Sequence, residues 1–136
     1  MTMLPYWIQS SDLSVEDFAS AEAAEIVDDL MRVNWIAAAE QRKKLEAAGD
    51  EYCPAGLGIN APDGRLLHIR TDENNRCVIE YSFYDKEKLL GFITRRKYHA
   101  GTIENAPLEI APSLIKAFFE NRYSDVKQKI EAQIQA

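Results

Sequence analysis

The sequence is poor in the residues that most readily announce a chemistry. Among 136 residues there are only 2 Cys, 2 His, 3 Met and 6 Gly. Cys53 and Cys77 are far apart in the chain, each beside apolar or backbone-shaping neighbours, and read as reduced small hydrophobes. Cys53, His68, Cys77 and His99 lack the short ligand spacings that zinc motifs use, so no metal is expected. There is no phosphate-cradling glycine loop ending in Lys-Ser or Lys-Thr, no Gly-x-Ser-x-Gly elbow and no paired-His helix. Gly56-Leu57-Gly58 is a lone Gly-x-Gly, without the third glycine and helix that dinucleotide binding needs. No cofactor and no catalytic residue is assigned, and an enzyme is the less favoured reading.

Positive charge is scarce as well. Sixteen Lys and Arg against 22 Asp and Glu give a net charge of -6, which disfavours broad nucleic-acid or anionic-membrane binding. No stretch approaches the roughly 20 apolar residues of a membrane span, and the opening residues lack the layout of a signal peptide. A cytoplasmic location is the expectation. With 46% hydrophobic and 28% charged residues, the chain has the balance of one globular domain over 1–136.

What is present patterns as α+β. Leu4-Pro5-Tyr6-Trp7-Ile8 is extended and then turns at Ser10-Ser11-Asp12. Ser14-Val15-Glu16-Asp17 has the form of a capping box, and a helical pattern runs from there to about Ala48, with a break expected near Ser20. Ile26, Val27, Leu30, Met31 and Val33 share its apolar arc. From Tyr52 to His99 the period becomes two. Cys77 to Tyr84 is the clearest strand, Leu66–Ile69 and Leu89–Ile93 read as its neighbours, and Ala55–Ile59 is weaker. Asp72–Asn75 and Asp85–Lys88 read as turns, so a three- to four-stranded antiparallel meander is expected. After a loop over 100–111, Pro112 opens a C-terminal helix or helix pair packed on the sheet, carrying Ile115, Phe118, Phe119, Tyr123, Val126, Ile130 and Ile134.

The strongest asymmetry is acidic. Asp12, Glu16, Asp17, Glu22, Glu25, Asp28 and Asp29 stand between Ser11 and Met31 without a Lys or Arg among them. A solvated helix face accounts for such a run, but a one-signed face also steers a basic partner and rejects like-charged competitors. The partner-binding candidates are therefore Glu22, Glu25, Asp28 and Asp29 on one helix face. The favoured function is a small acidic protein-binding protein, an inhibitor, immunity protein or secretion-chaperone-like module docking a basic protein; homodimerisation stays open. In size, charge and layout the chain is similar to many bacterial immunity proteins and secretion chaperones, a generic likeness without a shared motif. The alternative is a small-molecule-binding or enzymatic domain with a pocket between sheet and helices. Asn34, His68, Tyr81, Phe83 and Arg96 are its first suspects. Asn34 sits in the apolar arc and calls for an internal hydrogen bond. Arg95-Arg96-Lys97 is the one concentrated basic stretch, read as guarding an edge strand or meeting the helix acids.

Overall fold

The computed structural model describes residues 2–71, 76–89, 91, 93–121 and 128, with 84–89 and 93–98 as backbone only. The elements follow the order β1 (Leu4–Gln9), β2 (Val15–Ala21), α1 (Ala23–Arg32), α2 (Trp35–Ala47), β3 (Gly56–Asn60), β4 (Leu66–Thr71), β5 (Arg76–Leu89), β6 (Ile93–Pro107) and α3 (Ala111–Glu120). The class is α+β. The sheet has six antiparallel strands in the order β2-β1-β3-β4-β5-β6, not three or four. Strands β3, β4 and β5 fall where strands were expected, whereas Leu89–Ile93, expected as the next strand, is where β5 ends and β6 begins; the two further strands are an N-terminal hairpin joined to β3 through β1.

The largest correction is at residues 15–21, expected to be helical. They form β2, and the helix begins only at Ala23. Two local contacts explain the difference. Ser14 turns its N–H and hydroxyl onto the Asp12 carboxylate, which uses up the expected cap in a turn. Phe18 then lies across from Tyr6, with stacked rings 4.6 Å apart, so cross-strand pairing outweighs helical propensity. The break also moves, from Ser20 to Val33-Asn34. Asn34 is an exposed N-cap whose side chain accepts from the Ala37 N–H at 3.0 Å, a local bond and not a core one. Trp35 turns back into the core and donates its indole N–H to the Leu30 carbonyl at 2.9 Å.

Asp85–Lys88, expected as a turn, continue β5 opposite Arg96, Arg95 and their neighbours on β6. The reversal comes instead at Gly91, whose φ of +80° an L side chain adopts only with strain. The expected loop over 100–111 is mostly β6, followed by a short 3-10 turn at Leu108–Ile110. Pro112 does stand in the first turn of α3. The turn expected at Asp72–Asn75 and the helical pattern through Tyr123, Val126, Ile130 and Ile134 lie outside the described residues.

One face of the sheet carries the core. Leu57, Ile59, Leu67, Ile69, Ile79 and Phe83 are fully buried on it, under Ile26 and Leu30 of α1 and Leu114, Ile115 and Phe118 of α3. Phe118 meets Phe83 edge-on at 5.6 Å. Arg65, buried at the entrance to β4, clamps this layer. Its Nε donates to the Asp63 carboxylate at 2.9 Å, its Nη1 to the Phe118 carbonyl in the last turn of α3, and its guanidinium covers the Phe118 ring at 4.8 Å.

Truncating Phe118 or Ile79 to Ala should cost about 2–5 kcal/mol of unfolding free energy, since each leaves a cavity in a close-packed layer. Lys116→Ala, on the exposed side of α3, should stay within about 0.5 kcal/mol. Urea unfolding followed by far-UV circular dichroism separates the two cases; equal losses would overturn the facing of α3.

Candidate functional site

The acidic residues occupy one end of the sheet. β2 is an edge strand, paired with β1 alone among the described residues, and it exposes Val15, Glu16 and Asp17. Helix α1 follows it directly. Glu25 and Asp28 are exposed, Glu22 is half-buried just ahead of the first turn, and half-buried Asp29 accepts a hydrogen bond from the Tyr6 hydroxyl of β1. That bond fastens α1 to the sheet edge.

Tyr6 reports the field that results. Burial pushes its pKa up to about 12, with the bond to Asp29 adding to the rise, followed by the charges of Asp29, Glu25 and Glu16. The phenolate would be a further negative charge among acids from two different elements. Of the expected partner-binding residues, Glu25 and Asp28 are therefore open to a partner, Glu22 is partly so, and Asp29 is committed to Tyr6 and lies 3.9 Å from Arg32. Glu16 and Asp17 belong to the same surface, which the helical reading hid by placing them on a helix end.

Between α1 and α3 lies an open groove of about 470 Å³, apolar along Ala23, Val27, Pro112 and Phe119 and bordered by Asp28 and Lys116. It shares no residue with the suspected sheet-and-helix pocket. The structure does not gather those suspects into one place. Phe83 is sealed in the core beside Tyr81, Asn34 caps α2, and His68 is on the opposite face of the sheet. Arg96 stands on β6 across from Lys86, with its side chain outside the described residues. The Arg95-Arg96-Lys97 stretch lies on the opposite edge strand from β2.

On the face away from α1 and α3, Asp17, Trp7, Gly58, His68 and Glu80 form a row across five strands. The Trp7 indole lies on the backbone of Gly58, where a Cβ would fall 1.9 Å from the ring, and reaches to 6.0 Å from the His68 ring. Glu80 and Arg70 form an ion pair beside it at 3.1 Å. Burial lowers the His68 pKa, with Glu80 opposing and Arg70 reinforcing the shift.

The chain matches no known protein family, no curated protein and no solved structure. Among the described residues no group of three or more His, Cys, Asp or Glu could hold a metal ion, and no helix is long and apolar enough to cross a membrane.

His68 makes a pH prediction. Its folded-state pKa lies below the ordinary 6.5, so the unfolded chain takes up the proton first. Its contribution to stability should be complete above 6.5 and be lost as the pH falls from there through the folded value. The urea midpoint of the parent protein should therefore decline more between pH 7 and 5 than that of His68→Gln. Parallel declines would remove His68 from the account.

Proposed function

We propose that this protein binds a basic protein partner through the acidic end of its sheet. The observation that carries the reading is the convergence of Glu16 from β2 with Glu25 and Asp29 from α1 around the Tyr6 hydroxyl. Glu16 and Asp17 of β2 and Glu25 and Asp28 of α1 are exposed on consecutive elements, so charges of one sign act together on an approaching partner. A basic partner donates Arg and Lys hydrogen bonds to these exposed carboxylates. Exposed Asp17, Glu25 and Asp28 extend the field outward, where it acts on the encounter. Roles suited to this chemistry are inhibition of a basic enzyme, immunity toward a basic toxin, or chaperoning of a basic secreted client.

The test is kinetic. Glu22→Lys, Glu25→Lys and Asp28→Lys combined leave the Tyr6–Asp29 bond and the buried side of α1 in place. Against a basic partner recovered at low salt, the triple variant should associate about tenfold or more slowly in stopped flow, with a smaller change in dissociation. Raising the salt from about 0.05 to 0.5 M should slow the parent protein and level the two forms. An unchanged association rate together with a flat salt response would overturn the proposal.

A further inference from the structure

We infer that the partner contributes an extended, basic segment that pairs with β2 as a seventh strand. This rests on the proposed function and adds the mode of recognition to it. One long edge of β2 is occupied by β1; on the other, alternate residues turn their N–H and C=O groups outward, and no backbone bond engages them among the described residues. Edge strands of this kind invite strand addition, with main-chain bonds supplying affinity and alternate side chains supplying choice.

The side chains of β2 specify what can add. Its bulge lies at Ala19 and Ser20, where two residues of β2 stand against Pro5 of β1, leaving Val15–Phe18 in regular register. Within that stretch Glu16 and Phe18 face the helix side, paired with Ile8 and Tyr6. Val15 and Asp17 face the open side, paired with Gln9 and Trp7. The two acids are consecutive and project from opposite faces. A complementary strand therefore needs two consecutive basic residues, one per face, flanked by apolar residues to meet Val15, which is 51% exposed, and Phe18. Glu25 reinforces the helix-side position. The same acids exclude a second β2: two copies pairing there would set carboxylates against carboxylates, so the edge rejects its own kind while accepting the opposite charge. The competing occupant is β6 of a second copy, which carries Arg95-Arg96-Lys97 on the other edge of the sheet.

The experiment uses the full chain and a synthetic peptide, Thr-Val-Lys-Arg-Val-Thr. A second peptide has identical side chains but N-methyl groups on alternate amides, which block strand pairing and keep the charge. Calorimetry at low salt should show the unmodified peptide binding about tenfold or more tightly than its N-methylated form, the loss expected for forfeited main-chain bonds. Hydrogen exchange at Val15–Phe18 should slow only with the first. Glu16→Lys combined with Asp17→Lys should abolish the preference, and the peptide comparison on the parent protein remains decisive if that variant fails to fold. Equal binding of the two peptides, each lost on charge reversal of α1, would overturn strand addition and leave the proposed function standing. Binding of neither, with basic proteins also ignored, would overturn both. Concentration-dependent self-association in sedimentation, abolished by the Glu16 and Asp17 changes, would assign the edge to a second copy and also overturn the inference.

Discussion

The hydrogen bond from Tyr6 to Asp29 is the joint on which the acidic end of the molecule depends. Tyr6 is buried on β1 and stacked on Phe18 of the edge strand, while Asp29 comes from the middle of α1. A carboxylate held against a buried hydroxyl fixes both the rotation of α1 and its distance from the sheet. Rotation of α1 decides the rest. With Asp29 turned to Tyr6, Ile26 and Leu30 face the core, and Glu25 and Asp28 face solvent. The surface charge is thus a consequence of how one residue of the helix is satisfied.

The two faces of the sheet differ for a related reason. Strict alternation in β4 and β5 sends Leu67, Ile69, Cys77 and Ile79 under the helices and His68, Arg70, Val78 and Glu80 to the other side. The helix side is sealed, with Arg65 binding the β3–β4 turn to the end of α3. On the open side Trp7 lies flat over Gly58 and covers the middle of the sheet, and an ion pair stands beside it. Between the sheet and the helices, Phe83 and its described neighbours are fully buried. Among the described residues, the β2 edge and the α1–α3 groove are open to a partner.

Much of the strand pattern was legible in the sequence: Leu66–Ile69 and Cys77–Tyr84 fall within β4 and β5, and the extended apolar start at Leu4 is β1. So were the α+β class and the start of α3 at Pro112. Residues 15–21 were not, because Val15, Phe18 and Ala21 also fit a helical arc, and only the long-range pairing with β1 decides between the two. Asp85–Lys88 look like a turn by composition, yet the register sets Asp85 opposite Lys97 and Glu87 opposite Arg95. The clamp made by Arg65 was not legible, because Asp63 is its only neighbour in sequence and Phe118 lies 53 residues away. For the site, Glu25 and Asp28 were visible as an acidic face. The contribution of Glu16 and Asp17 depended on knowing that they lie on an edge strand, and the commitment of Asp29 depended on knowing where Tyr6 is.

The most direct measurement is an amide correlation spectrum of the nitrogen-15-labelled protein, titrated at low salt with the basic Lys-Arg peptide. The largest shift changes should fall on Val15–Phe18 and on Glu25–Asp29, fading as salt is added. Changes centred instead on Trp7, His68 and Arg70, or along Val27, Lys116 and Phe119 without salt dependence, would contradict binding at the acidic edge.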